Sequence, residues 1–378
     1  MTAQKDIMDV VKHILHPKTQ TDSISEHANK KLLFSIVPAV GYTLQTGFAG
    51  LVSANLAFYN GEEENQKISS ISTSFTYSQY RQIILPFTAS IWTKGNRFHF
   101  ITDTRYLNYP SDIYGLGSDI ISNDSNANTG YTIDFRGIKL HQSFEYAVAK
   151  NIYAGIGFFY DHFWNIKLKD SAGSIINKQI GDQLGTKETA SGLALRMVYD
   201  SRLNQINAIQ GVYANVQFRP NFTFLGSDKN WSSLLADVRK YIRFPASSAN
   251  TLALWGMAWM TPGHNKAPYL LKPATGWDEQ YNTGRGYIQG RFRGNNLFYF
   301  ENEYRFRITN NGLLGAVAFT NFQAYSGDLS SSYKSIKMGY GAGLRIKLNK
   351  NSGSNLCIDY AFGQKGSRGF FVNLGEIF

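Results

Sequence analysis

The residues of this sequence that could do chemistry are charged groups of opposite sign in the stretch 283–308, and that chemistry is ion pairing. The segment Thr283–Asn295 contains four glycines, which allow a loop to fold tightly and bring backbone close to backbone. They are Gly284, Gly286, Gly290 and Gly294. Arg285 lies among them, and the following stretch carries Glu301 and Glu303 as natural partners for its guanidinium.

That following stretch, Phe298–Ile308, alternates between apolar and charged residues. Because successive side chains of a strand point to opposite faces, it predicts a strand with one oily and one charged face. The oily face carries Phe298, Phe300, Tyr304, Phe306 and Ile308, and the other carries Tyr299, Glu301, Glu303, Arg305 and Arg307. A soluble sandwich turns its oily face inward, whereas a membrane barrel turns it to lipid and places the charges in a wet lumen.

The composition favours the barrel. The chain has 378 residues, which exceeds the usual size of a single core, yet it shows no obvious domain boundary. Aromatic residues make up 15%, with 35 Gly, as expected of strands, tight turns and aromatic girdles. The mean hydropathy is −0.27. No apolar run reaches about 18 residues, which excludes a helical membrane protein.

The glycine-rich stretch resembles a known family. Gly284-Arg285-Gly286-Tyr287, then Gly290-Arg-Phe-Arg293 and Glu303-Tyr-Arg-Phe306, is similar to the loop-six signature of the BamA/TamA superfamily, the bacterial surface antigen family of outer-membrane assembly factors. The resemblance implies that loop six, about residues 263–295, folds into the barrel lumen. There Arg285 is expected to pair with acidic residues of the inner wall. Gly284 stands where the family has an aliphatic residue.

The resemblance covers nearly everything from Leu33 to Phe378 and implies an all-β fold, a transmembrane antiparallel β-barrel of about sixteen strands. Residues 32–378 are assigned to this barrel, and residues 1–31 to a short amphipathic helix and a linker. The helix is predicted from Asp6 to Leu15 because its apolar residues recur at helical spacing. It could lie on the periplasmic membrane surface or in the lumen, and we favour the surface.

Two features depart from the family. Residues 17–30 are too few for a POTRA domain, the periplasmic module that the family repeats before its barrel. The first residues, Met1-Thr-Ala-Gln-Lys-Asp6, show no secretory signal, and we expect the natural signal to have been removed or replaced. The resemblance nevertheless implies a bacterial outer-membrane location, with lipids and lipopolysaccharide as neighbours.

In the family the first and last strands meet at a weak seam. Pro38 and Gly41 suit such a place in the first strand, because proline is best tolerated at a sheet edge. At the other end the sequence closes with alternating apolar residues and a terminal Phe378, similar to the insertion signal of outer-membrane proteins. Gly375 and Phe378 are therefore assigned to the seam, although Glu376 breaks the alternation.

Two further motifs concern the lumen wall. Asp200 and Arg202, with Gly211 downstream, are similar to a family turn motif, which we interpret as a salt-bridged turn without catalytic meaning. Asn321 stands where the family has an aspartate that receives the loop-six arginine. An amide forms a weaker bond than a charged group. We therefore expect Arg285 to bind Glu301 or Glu303, with Asn321 as a neutral acceptor.

No constellation of catalytic residues stands out, so we predict that the protein is not an enzyme and needs neither cofactor nor metal. The seven His show no metal-ligand spacing. His99, His141 and His162 are interpreted as lumen or rim residues rather than catalysts, whereas an outer-membrane lipase or deacylase would need a Ser-His pair near the rim. One cysteine, Cys357, precludes an internal disulfide.

The net charge of +11 would also suit a nucleic-acid binder. However, the basic residues are spread singly over strands and loops, so we predict no nucleic-acid partner. The leading hypothesis is a POTRA-less member of the family that assists insertion or translocation of proteins or lipids at the outer membrane. The alternatives are a membrane anchor or dimerisation scaffold for a periplasmic partner, and a passive porin-like channel. Expected partners are client outer-membrane proteins, a periplasmic protein or a second copy of the chain.

Overall fold

The computed structural model describes residues 4–7, 9, 32–61, 66–116, 131–168, 184–326 and 335–378. It contains seventeen strands. The first nine are β1 (Leu32–Thr43), β2 (Gly47–Phe58), β3 (Ser69–Ser78), β4 (Ile83–Trp92), β5 (Phe98–Asn108), β6 (Ser111–Ile113), β7 (Tyr131–Ala149), β8 (Ile152–Leu168) and β9 (Lys187–Asp200). The others are β10 (Gly211–Asn221), β11 (Trp231–Arg243), β12 (Thr251–Met260), β13 (Asn296–Arg307), β14 (Leu314–Ser326), β15 (Lys337–Lys347), β16 (Asn355–Phe362) and β17 (Arg368–Leu374).

The strands form one antiparallel meander that is nearly closed into a barrel. β5 and β6 both pair with β7, with Asn108 opposite Arg136 and Ser111 opposite Ile133. β6 therefore continues β5 after an interruption at Tyr109-Pro110, and the seventeen segments make sixteen spanning strands. The predicted all-β antiparallel barrel of about sixteen strands is confirmed. Both β1 and β17 have their outer ends, Leu32 and Leu374, at the same end of the barrel, here called the terminal end.

The barrel has its oily face outside. In β13, Phe298 and Phe300 are exposed on the outer surface, whereas Glu301 and Glu303 are fully buried in the lumen. This arrangement is stable where lipid replaces water on the outside, because lipid accepts apolar side chains and the lumen holds the charges. None of the helices in the described residues is long and apolar enough to cross a bilayer.

The barrel is not closed by a hydrogen-bonded ladder. β1 pairs with β2 and β17 pairs with β16 along their lengths. β1 also lies beside β17. Between the described residues of these two strands, however, no paired register forms. The two strands are in contact at Gly41, where an added Cβ atom would lie 3.5 Å from Cγ2 of Val372 and 3.8 Å from its Cβ. Pro38, which has no N–H to donate, lies three residues from this contact in β1.

The C-terminal residues correct one prediction. β17 ends at Leu374, and Gly375 adopts φ +93°, a left-handed conformation that favours glycine. The chain then turns into the lumen, where Phe378 is buried. Phe378 therefore lies outside the seam to which we assigned it. The reason is Glu376, whose carboxylate would face lipid if the strand continued but finds arginines in the lumen instead.

The N-terminal segment contacts two turns at the terminal end. Lys5 N donates to Asn311 O over 3.0 Å, between β13 and β14. Lys350, between β15 and β16, donates from its backbone N to Asp6 Oδ2 over 3.0 Å and from Nζ to Asp9 Oδ2 over 2.9 Å. Asp6 and Asp9 also accept each other's backbone N–H, which is the pattern of a capping box. Residue 8 and residues 10–31, where the rest of the predicted amphipathic helix falls, lie outside the described residues.

The geometry of the seam predicts a disulfide. In a Cys357→Ala background, Gly41→Cys combined with Val372→Cys should crosslink on mild oxidation, because a Cβ–Cβ distance of 3.8 Å matches that of disulfides. The measurement is the loss of both free thiols by mass spectrometry. Gly50→Cys with Val372→Cys is the control, since nothing lies within 4 Å of a Cβ added at Gly50. Equal crosslinking of both pairs, or none of either, would contradict the described seam.

Candidate functional site

The loop between β12 and β13, residues 261–295, enters the lumen and presents its tip to the inner wall of β13–β17. Gly284 and Gly286 have φ of +79° and +104°. A Cβ atom added at Gly286 would lie 2.6 Å from the carbonyl oxygen of Phe362 in β16. Only glycine fits this approach, because another residue would be strained and would also collide with the wall. The two glycines thus place Arg285 against the wall.

Arg285 forms the centre of a buried ionic cluster. Its guanidinium binds the carboxylates of Glu301 and Glu303 in β13. A third carboxylate oxygen, Oδ2 of Asp359 in β16, lies 2.5 Å from its NH1 atom. Burial opposes the charge of Arg285, but the three carboxylates outweigh burial and hold its pKa well above its ordinary value. The arginine is therefore a fixed cation that joins the loop to two strands.

The neighbours of this cluster complete its polar and aromatic contacts. The Phe319 ring lies 3.5 Å from the guanidinium carbon, a cation–π contact. Asn321 does not accept from the guanidinium as we expected. Its Nδ2 instead donates to the backbone carbonyl of Arg285 over 2.8 Å. The Tyr299 hydroxyl donates to Glu301, and it accepts from the backbone N–H of Gly284 over 3.1 Å. Asn321 thus holds the loop backbone rather than the charge.

Tyr287 provides a second anchor for the loop tip. Its hydroxyl donates to the carbonyl of Met338 over 2.7 Å, and it accepts from the backbone N–H of Gln364 over 2.9 Å. Ser367 Oγ donates to the carbonyl of Gly286 over 2.6 Å. Each residue of the loop-six motif therefore contacts β13–β17 or the turn that joins β16 to β17.

The ionic cluster continues to the C-terminus. Arg345 in β15 binds Asp359 Oδ1 at 2.5 Å and Glu376 Oε2 at 2.9 Å. Arg305 in β13 binds Glu303 Oε2 at 2.6 Å. Burial of the Glu376 carboxyl works against its ionisation, but Arg345 and Arg305 outweigh this effect and hold its pKa below its usual range. A chain of alternating charges thus runs from the loop tip to the end of β17.

The last two residues fix the C-terminus inside the lumen. Arg305 NH2 donates to a terminal carboxylate oxygen of Phe378 over 3.1 Å. Asn282 of the loop donates from Nδ2 to the carbonyl of Ile377 over 2.8 Å. The Phe378 ring lies 5.1 Å from that of Trp255 in β12. The C-terminal residues therefore contact both the loop and the wall.

Asp200 and Arg202 form a separate site at the terminal end of β9. Arg202 donates from Nε to Asp200 Oδ1 over 3.0 Å, and Lys67 Nζ lies 3.2 Å from Asp200 Oδ2. Burial lowers the pKa of Lys67, and this effect exceeds the opposing charge of Asp200. Gln205 Nε2 also donates to Asp200 over 2.8 Å. The predicted pair is thus in contact, within a larger network than we expected.

Sequence reasoning named Glu301 and Glu303 but missed Asp359, Arg345 and Glu376 as members of the cluster. A signal for Asp359 existed. Gly343 lies directly opposite it in β15, and a Cβ atom there would come within 1.8 Å of Asp359 Oδ1. A glycine paired with an acid on the lumen face indicates room for a partner from elsewhere. In the described part of the chain, no three His, Cys, Asp or Glu residues are grouped as ligands for a metal ion.

Comparisons with known proteins identify a family and several barrels of similar fold. The model of the Omp85 superfamily domain matches residues 64–378. BamA from Haemophilus ducreyi lacking POTRA domains 1–3 superposes with a TM-score of 0.54 at 14% identity, covering 90% of this chain and 70% of that one. CdiB from Acinetobacter baumannii superposes with a TM-score of 0.58 at 12% sequence identity, covering 92% of this chain and 60% of that one. CdiB from Escherichia coli superposes with a TM-score of 0.57 at 12% sequence identity, covering 92% of this chain and 62% of that one. At these identities the likeness shows the fold alone. No curated protein matches the chain.

Two substitutions should release the loop by different means. Arg285→Ala removes the cation that three buried carboxylates share and leaves Glu301 without a cationic partner, whereas Glu303 keeps Arg305 and Asp359 keeps Arg345. Breaking a buried ion pair costs up to about 3–5 kcal/mol. Gly339→Val removes no charge, but its Cβ would lie 2.3 Å from the carbonyl of Arg285. In both variants we expect trypsin to cleave at the buried Arg291 and Arg293, as mapped by mass spectrometry. Gly256→Val, with nothing within 4 Å, is the control. Resistance equal to that of the unsubstituted protein would contradict the role of Arg285.

Glu376→Gln should free the C-terminus in a pH-dependent way. Because the folded-state pKa of Glu376 is depressed, its stabilisation is present above the ordinary pKa of about 4.3 and is lost as the pH falls through the depressed value. Carboxypeptidase should therefore remove Phe378 faster from the variant than from the unsubstituted protein at pH 7. The difference in thermal stability between the two proteins should shrink at pH 3. A constant difference across this range would show that the ion pairs of Glu376 are not its cause.

Proposed function

The chain belongs to the Omp85 superfamily, and from that premise we propose that it assists insertion or translocation of proteins or lipids at the bacterial outer membrane. The observation that carries this proposal is the incomplete seam, since β1 and β17 touch but form no ladder between their described residues. A barrel that needs only to be a wall or a pore gains nothing from an open edge. A barrel that must admit another chain needs an open edge to which that chain can bind.

The physical reason is the cost of unpaired backbone in lipid. Every N–H and C=O within the hydrocarbon must have a partner, so an open strand edge there binds whatever strand or polar group can satisfy it. β1 has twelve residues, whereas β17 has only seven. About nine to eleven tilted residues are needed to span a bilayer. Part of the β1 edge therefore lacks a neighbour in the last strand, and an incoming strand could occupy it.

The ionic cluster supports this proposal because it links the loop tip to the seam. Arg285 and Arg345 share Asp359, and Arg345 also binds Glu376, two residues after β17. While these pairs hold, the last residues remain in the lumen and β17 remains short. In our proposal, movement of loop six would loosen Glu376 and allow the end of β17 to rearrange.

A passive channel is supported less well. The loop and the C-terminal residues occupy the lumen beside β12–β17, and Ile377, Phe378, Tyr287 and Phe292 pack there with Trp255 and Tyr299. A porin would keep this space for water. The scaffold alternative shares the barrel and differs in needing a second protein, so the experiment below separates it. On the same premise we propose that residues 32–378 form a barrel in the bacterial outer membrane and that residues 1–31 are a separate N-terminal segment.

The proposal predicts autonomous insertion activity. Liposomes containing the protein should accelerate the folding of an added small outer-membrane barrel, followed by heat-resistant mobility on gels. Arg285→Ala should slow this folding, because the loop and the seam lose their link. Oxidation of the Gly41→Cys, Val372→Cys protein should stop the activity, and reduction should restore it.

The controls distinguish failure of the function from failure of the fold. Each variant must first show the heat-modifiable mobility of a folded barrel. Gly256→Val should insert clients at the unsubstituted rate. If the well-folded protein does not accelerate folding at all, autonomous insertion is rejected and a scaffold with a separate partner takes its place. If the oxidised protein remains active, the seam is not the route.

A further inference from the structure

A second group of polar side chains lies on the other half of the lumen wall. Ser90 of β4, His99 of β5 and Glu145 of β7 lie side by side on neighbouring strands. Ser90 Oγ is 2.8 Å from His99 Nε2. His99 Nδ1 is 2.8 Å from Glu145 Oε2. A serine, a histidine and a carboxylate joined in this order form the arrangement that activates a serine hydroxyl as a nucleophile.

The barrel holds the imidazole in place. Glu145 lies directly across from His99 in the β5–β7 ladder, and Trp92 lies directly across from it in the β4–β5 ladder. The indole stacks on the imidazole with 3.6 Å between ring centres and 6° between planes. Arg196 Nε is 2.9 Å from the other oxygen of Glu145 and keeps the carboxylate oriented. When Nδ1–H donates to Glu145, Nε2 presents its lone pair to the hydroxyl of Ser90.

The surroundings of Ser90 include a position for an acyl oxygen. Gln205 Oε1, an amide carbonyl oxygen, lies 3.3 Å from Ser90 Oγ and 3.4 Å from Trp92 Nε1. A bound ester that displaced this amide would place its carbonyl oxygen where the indole N–H donates. An N–H aimed at this place stabilises the negative charge that develops on the oxygen during attack. Gln205 belongs to the turn after Asp200, so this turn contributes both to the Asp200 network and to the surroundings of Ser90.

A cavity gives access to the group. It has a volume of about 480 Å³, lies at the terminal end of the lumen and is lined by Ser90, His99, Gln205, Arg202 and Tyr213 among others. Pockets of about 300–1,000 Å³ are typical of small-molecule sites. The other histidine–carboxylate pair, His141 Nε2 with Asp161 Oδ1 at 2.9 Å, stacks on Phe159. Among the described residues, no serine hydroxyl is hydrogen-bonded to His141.

We propose that Ser90, His99 and Glu145 hydrolyse a small carboxylic ester in this cavity, an activity separate from the membrane role proposed above. Ser90 Oγ attacks the acyl carbon, and His99 Nε2 takes the hydroxyl proton. The C–O bond to the alcohol then breaks, and His99 gives the proton to the leaving oxygen. Water attacks the acyl-serine, His99 takes a proton from it, and the carboxylic acid leaves as Ser90 recovers its proton. Glu145 is a positioning residue, because it touches His99 and not the ester.

The first test uses the whole protein in detergent with a fluorophosphonate probe and p-nitrophenyl acetate. We expect a single phosphonate adduct on Ser90, found by peptide mass spectrometry. Ester hydrolysis should fall by at least about 100-fold in Ser90→Ala and His99→Gln. Ser72→Ala, which changes a lumen serine that instead contacts Thr88, should keep both labelling and hydrolysis. Glu145→Gln should lower kcat and leave KM unchanged.

A second variant guards against loss of folding. Ser90→Cys should react with iodoacetamide faster than Ser72→Cys, because only the first thiol has an imidazole beside it. Heat-modifiable mobility reports folding for every variant. Equal alkylation of the two thiols, an adduct at another serine or hydrolysis that persists in folded Ser90→Ala would overturn the proposal. Because these readouts need no client protein, they do not depend on the insertion activity.

Discussion

The structure depends on one buried cation. Arg285 lies in the lumen with three carboxylates within reach, and these come from two strands that are not adjacent, β13 and β16. Taking a guanidinium out of water is costly, and only charged partners of good geometry repay that cost. The loop can therefore rest in one place only, where all three acids converge. That place exists only when β13 to β16 already stand in their registers, so the ionic cluster and the barrel wall specify each other.

The membrane adds a second constraint, which acts on the backbone. Lipid offers no hydrogen bonds, so a barrel should close fully. Here the constraint is relaxed at a single boundary, between β1 and β17, while every other neighbouring pair forms a ladder. The end of β17 at this boundary has a local cause. Glu376 cannot face lipid without losing its arginines, so the chain bends inward at Gly375 and gives up the strand positions beyond it. A side-chain charge thus sets the length of a strand.

The fold was largely predictable from sequence because its main signal is local. Period-two alternation, as in Phe298–Ile308, needs no knowledge of distant residues. The pairing of Arg285 with Glu301 and Glu303 was predictable for a similar reason, since both acids share the inner face of the strand that follows the loop. The pairing of Arg285 with Asp359 was not predictable. Asp359 lies in β16, three strands after β13, and only the curvature of the barrel wall brings it close to Arg285. Ser90, His99 and Glu145 were missed for the same reason. Their partners are fixed by cross-strand registers, which composition and spacing do not reveal.

These contacts also explain how loop and seam could influence each other. The C-terminal residues bind the loop through Asn282 and the wall through Arg305, while Glu376 shares Arg345 with Asp359. Any state in which the end of β17 extends along β1 must break these contacts, and any state in which the loop leaves must weaken them. Coupling of this kind is reciprocal, because the free energy that the docked loop adds to the inward C-terminus equals the free energy that the inward C-terminus adds to the docked loop. A client that captured the β1 edge would therefore compete with the same ion pairs that hold the loop, without touching Arg285 itself.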